Sequence, residues 1–76
     1  MRTYTVIALC NGVKIGGQSD ATYQQVVDLV TDERGVDKLF MLRLTRDGKA
    51  MQFDRYKVLP WDKELTTSVL VVYRNQ

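Results

Sequence analysis

Few side chains in this sequence could do chemistry, and the missing ones narrow the choice first. There is no histidine and a single cysteine, Cys10. A Cys/His zinc site, a Cys–His nucleophile pair and an internal disulfide are therefore out of reach. Cys10 could act as a reactive thiol, but free cysteine is among the most buried residue types, and a small core residue beside a turn is the preferred reading. Asp28, Asp32 and Glu33 could suggest an acid/base pair or a carboxylate metal site. Nothing near them in sequence would desolvate them or raise a pKa, so a solvated helix face is expected. Gly16-Gly17 lacks a following helix at phosphate-loop spacing and reads as a strand end. Arg43, Arg46, Lys49, Arg55 and Lys57, with Tyr56 among them, could meet RNA or an acidic partner. Asp47 and Asp54 interrupt that run, and a solvated surface is the expectation. Trp61, after Pro60, suits equally an exposed partner anchor or a plug over one end of the core. The residues point to no catalysis, no metal and no cofactor.

Composition agrees with a small soluble globule. Apolar residues make up 45% and charged residues 26% of 76 positions, which argues against disorder and for one domain spanning residues 1–76. Eleven basic against nine acidic residues leave +2 with no basic run, so a dedicated nucleic-acid binder is not expected. No apolar run approaches the ~18 residues of a membrane span, and the Met1 end reads as a strand rather than a signal peptide. A reducing, cytoplasmic setting is the expectation.

The elements that must position these residues are organised around one helix. In Ser19–Val36, Tyr23, Val26, Val27 and Val30 share a stripe at i, i+3, i+4 and i+7, which is one face of a helix. Thr22 with Gln25 reads as a capping box, Ser19 and Asp20 are rival caps, and Gly35 is the expected stop. Before it, Asn11-Gly12 between two β-branched runs is a hairpin signal. A two-residue loop pairs Cys10 with Val13 and Ala8 with Ile15, so Tyr4, Val6, Ala8, Cys10, Val13 and Ile15 form a buried face. After the helix, Leu39 to Thr45 reads as a strand, and Asp47-Gly48 as a second hairpin turn into Lys49 to Phe53. That puts Phe40, Leu42, Leu44, Met51 and Phe53 on one face. Asp54 to Glu64 reads as a loop with one short helical turn, anchored by Tyr56, Val58 and Trp61. Leu65 to Arg74 is the last strand, apolar on both faces and so central. The expected architecture is α+β, ββαβββ, a mixed sheet with one helix on one face and the last strand parallel to the first.

That order, with Thr22, Val26, Val30, Asp32 and Gly35-Val36 at their spacing, resembles the ubiquitin-like β-grasp family. Tyr56-Lys57-Val58 resembles the family's tyrosine–polar–isoleucine anchor after the fourth strand. Ser68, Leu70 and Arg74 are similar to its polar, apolar and arginine positions on the outer face of the last strand. Ubiquitin-like modifiers end in Gly-Gly, whereas this sequence ends Arg74-Asn75-Gln76, so the resemblance implies no conjugation. The Asp47-Gly48 hairpin, longer than ubiquitin's, is similar to that of Ras-association and FERM-type β-grasp lobes. The resemblance implies a protein-binding domain that uses the outer face of its sheet.

Strand alternation gives that face its residues. With Phe40, Leu42, Leu44, Val69 and Val71 toward the helix, Leu39, Met41, Leu70 and Val72 turn outward. Ile7 and Leu9 join them, with Arg43, Arg74 and Lys14 around the edge. Such a patch is expected to bind another protein, with homodimerisation as its main variant. A small inhibitor or effector that blocks a host enzyme and an accessory subunit of an enzyme complex are the alternatives.

Overall fold

The computed structural model of the chain describes residues 2–53 and 68–76. The expected loop over Asp54–Glu64, with its anchors Tyr56, Val58 and Trp61, lies outside them, as do Arg55, Lys57, Leu65 and Thr67. The chain opens with the expected hairpin of β1 (Tyr4–Cys10) and β2 (Val13–Ala21). Asn11 and Gly12 both take positive φ, 51° and 82°, the primed turn that matches the twist of its strands. Cys10 pairs with Val13 as expected, but Ala8 pairs with Gly16 rather than Ile15. Ile15 is the extra residue of a bulge. It still reaches the core, half-buried, while Val13, out at the hairpin tip, is exposed. A second irregularity lies between Tyr4 and Val6.

The first helix is shorter than the sequence suggests. α1 (Tyr23–Leu29) opens with the expected capping box. The Gln25 amide donates to Thr22 Oγ1 at 3.1 Å, and the Thr22 amide to Gln25 Oε1 at 2.8 Å. Ser19 and Asp20 belong to β2 instead. The stripe is carried by Val26 and Val30, both buried, while Tyr23 is exposed with its ring 6.2 Å from that of Tyr4. The helix ends at Val30, whose amide donates to the Val26 and Val27 carbonyls, and the Thr31 hydroxyl donates to the Val27 carbonyl at 2.6 Å. The chain then folds into a two-stranded hairpin of β3 (Thr31–Asp32) and β4 (Gly35–Val36). Gly35 does use positive φ, 104°, but in this hairpin rather than at a helix end.

The largest departure follows. Leu39 to Thr45 is not a strand but part of α2 (Lys38–Asp47). Asp37 caps it, its carboxylate accepting from the Phe40 amide at 3.0 Å. Gly48 closes it at φ 76°, its amide donating to the Leu44 carbonyl at 3.0 Å. Asp47-Gly48 is thus a helix end, because a left-handed residue serves a helix stop as well as a hairpin turn. Phe40, Met41 and Leu44 face the core while Leu39 and Leu42 face solvent, a helical spacing that replaces the alternating one. Leu, Met, Lys and Arg, which fill this segment, are strong helix formers.

β5 (Lys49–Phe53) and β6 (Ser68–Arg74) complete a four-stranded sheet in the order β2-β1-β6-β5. β6 is central, as expected, but antiparallel to both β1 and β5. The result is a small α+β domain, an antiparallel sheet with two helices. The core lies between the helices and one sheet face, where Val26, Val30, Phe40, Met41 and Leu44 meet Tyr4, Val6, Ala8, Ala50, Leu70 and Val72. Ala8, Ala21 and Ala50 are buried in the same cluster. Asn75 ties the strand ends together. It donates to Thr3 Oγ1 at 3.0 Å and to the Ser19 carbonyl at 2.8 Å, and it accepts from the Thr5 hydroxyl at 2.7 Å.

Candidate interaction face

The register of the sheet decides what its other face carries. Tyr4, Val6 and Ala8 point to the helices, so Thr5, Ile7 and Leu9 point away. Their β6 partners are Tyr73, Val71 and Val69, and Lys49 and Met51 continue the rows into β5. One row therefore runs Ile7–Val71–Met51 across three strands, with Leu9–Val69 and Thr5–Tyr73–Lys49 on either side. Val71 is 4% exposed although it lies opposite the core, whereas Met51 is 42% exposed. Both helices pack on the inner face.

Two lysines come from the two edge strands. Lys14 pairs with Leu9 across the bulge, and its stem lies beside Gly17. A Cβ built at Gly17 would stand 3.3 Å from Lys14 Cε and 2.6 Å from the Val6 carbonyl oxygen. On the far edge, the Lys49 ammonium sits 5.2 Å from the centroid of the Tyr73 ring, within cation–π range.

The residues expected on the outer face divide. Ile7 and Leu9 are there, half-buried. Leu70 and Val72 are turned inward and buried, because β6 is apolar on both sides and its pairing with Ala8 and Val6 places them toward the helices. Met41 is in the core on α2, and Leu39 and Arg43 are exposed on that helix rather than on the sheet. Arg74 reaches the end of α2, where its guanidinium donates to the Thr45 carbonyl at 3.1 Å; a cation there complements the helix dipole. Val69, Val71, Met51 and Tyr73 were not expected on this face. Only the register with β1 could reveal them.

Other polar clusters are already occupied. A cleft of about 580 Å³ beside the β3–β4 hairpin is lined by Asp28, Asp32, Arg34, Asp37, Lys38 and Gln52 among others. Within it Asp28 accepts from Gln24, Asp32 accepts from the Arg34 amide and guanidinium, and Asp37 caps α2. Among the described residues, no three His, Cys, Asp or Glu side chains are grouped to hold a metal ion. Asp47 is held below the usual carboxylate range by a hydrogen bond from Arg46, and Arg46 is raised in turn. This exposed pair is local to the end of α2. Among the described residues no helix is long and apolar enough to cross a membrane. No protein-family model, curated protein or solved structure matches this chain.

Proposed function

We propose that this chain is a non-catalytic protein-binding module that docks its partner on the outer face of the sheet. The observation that supports the reading is the set of apolar side chains on the face opposite both helices, where Met51 and Tyr73 are exposed and Ile7, Leu9 and Val69 half-buried around the buried Val71. A contiguous apolar patch with a polar rim is what binding surfaces look like. A small inhibitor that covers a host enzyme and an accessory subunit are two forms the same role can take. Kinship with the ubiquitin-like β-grasp family belongs to the proposal too, and rests on Thr22, Val26, Val30 and Gly35 in the sequence. The antiparallel pairing of β1 with β6 and the second helix depart from that pattern.

The test is differential capture from cell extract by wild type, Met51→Asp and Leu42→Asp, each checked for folding by amide NMR. Met51 and Leu42 are both exposed, at 42% and 54%, but only Met51 is on the sheet. Proteins held by wild type and Leu42→Asp yet lost by Met51→Asp support the reading. Identical capture by all three sinks it.

A further inference from the structure

The four-stranded sheet ends in β2 on one side and β5 on the other, and the two edges differ. Along β2 the pairing with β1 is broken twice, between Tyr4 and Val6 and between Ala8 and Leu9. Irregularities of this kind twist an edge away from further pairing. At the other edge β5 pairs with β6 in unbroken register from Lys49–Tyr73 to Phe53–Val69. It contains no proline, glycine or bulge.

The phase of its hydrogen bonds says what that edge presents. The Arg74 amide donates to the Gly48 carbonyl at 2.8 Å, and the register sets these two residues opposite each other. Bonded and non-bonded pairs alternate along an antiparallel ladder, so Ala50 and Gln52 are the residues that bond to β6. The amides and carbonyls of Lys49, Met51 and Phe53 therefore point away from the sheet. Among the described residues no strand lies beyond β5 to receive them. Such a row of backbone donors and acceptors is a template for another strand.

Two details keep the edge open. Lysine commonly guards a strand edge, but the Lys49 ammonium lies back over its own sheet, 5.2 Å from the ring centroid of Tyr73 on β6. On the helix side Gln52 lines the cleft of about 580 Å³, which leaves space beside the strand.

We infer that β5 pairs with β5 of a second copy of the chain, antiparallel, about a twofold axis at Met51. That axis sets Met51 against Met51, Lys49 against Phe53 and Ala50 against Gln52. Every outward amide and carbonyl of the strand then has a partner, and no lysine faces a lysine. The interface is isologous, and the sheet runs on through both copies. The proposal goes beyond the outer-face reading and does not rest on it. One strand pair is a small interface, so association is expected between about 10 µM and about 1 mM rather than tighter.

Sedimentation of the full chain over that range, with folding checked by amide NMR, tests the pairing. Wild type should dimerise as concentration rises. Met51→Pro removes an outward amide that β6 does not use, so it should fold yet stay monomeric. Met51→Ser keeps the amide and should dimerise within about tenfold of wild type. Cross-linking supplies a second readout that needs no proline. Opposed bonded residues have Cα atoms about 5.5 Å apart, within disulfide reach. Under mild oxidation Cys10→Ser/Met51→Cys should therefore form covalent dimers at least about tenfold faster than Cys10→Ser/Leu42→Cys, Leu42 being exposed on α2. A wild type that stays monomeric throughout, or equal cross-linking at the two positions, would overturn the proposal. So would a dimer that survives Met51→Pro, or one lost as fully in Met51→Ser, which would place the contact on side chains rather than on the strand edge. Slow amide exchange at Met51 in dilute monomer would mean that the edge is already filled within one chain, and would overturn it as well.

Discussion

Two adjacent glycines of β2 should respond to the same substitution with opposite sign. Gly16 and Gly17 both have ordinary strand backbone, outside the positive-φ set of Gly12, Gly35 and Gly48. A Cβ at Gly16 meets nothing within 4 Å, whereas one at Gly17 lands 2.6 Å from the Val6 carbonyl oxygen and 3.3 Å from Lys14 Cε. The lysine can swing away. The carbonyl cannot, because Val6 is in β1, which is paired on both sides by β2 and β6. Relieving the contact means shifting the strand pair, and overpacking of this kind costs about 1–3 kcal/mol. Gly16→Ala instead removes conformational freedom from the unfolded chain and should stabilise by about 0.4–1 kcal/mol. The two variants should differ by roughly 1.4–4 kcal/mol, the cost at Gly17 added to the gain at Gly16. In a domain of this size each kcal/mol moves Tm by about 4–8 °C, so the gap is readable in a thermal melt followed by circular dichroism, with urea titration for the free energies. Equal shifts for the two variants would refute the bulged register on which the outer face is built.

Further outcomes follow from the same geometry. Leu44 is fully buried and Leu42 54% exposed, so Leu44→Ala should cost about 2–5 kcal/mol and Leu42→Ala within about 0.5 in urea titration; equal costs would favour a strand over α2. Gly48→Ala should destabilise by about 1–2 kcal/mol, since its φ is 76° and the new Cβ would crowd the Arg74 guanidinium at 3.2 Å; an unchanged melt would contradict that helix stop. Asn75→Ala removes side-chain links to Thr3, Thr5 and Ser19 and should cost about 1–3 kcal/mol, with faster amide exchange at the adjoining strand ends as the marker. Arg46→Gln should raise the Asp47 titration midpoint toward the usual carboxylate range, because the Arg46 hydrogen bond lowers it. The sign implies a contribution present above that range and lost as pH falls through the Asp47 pKa; a carboxyl NMR titration that does not move would remove the pair.

Signals that act over a few residues could be read from the sequence alone. Asn11-Gly12 demanded a primed turn, Thr22 with Gln25 made a capping box, and the alternation of Tyr4, Val6 and Ala8 marked the buried side of β1. Ile7 and Leu9 were legible as outward residues for that reason, and Lys14 as an edge charge beside them. The segment from Lys38 to Asp47 was not legible. Phe40, Leu42 and Leu44 satisfy a strand's period while Phe40, Met41 and Leu44 satisfy a helix's, and Asp47-Gly48 can end either one. Packing against Ala50, Leu70 and Val72 goes with the helical choice, which buries Met41 and releases Leu42. The facing of β6 was undetermined as well, since Val69 and Val71 are as apolar as Leu70 and Val72. One residue of register turns every side chain over. Only pairing with β1 set Leu70 against Ala8 and Val71 against Ile7, and so decided which side of the strand joins the core and which joins the outer face.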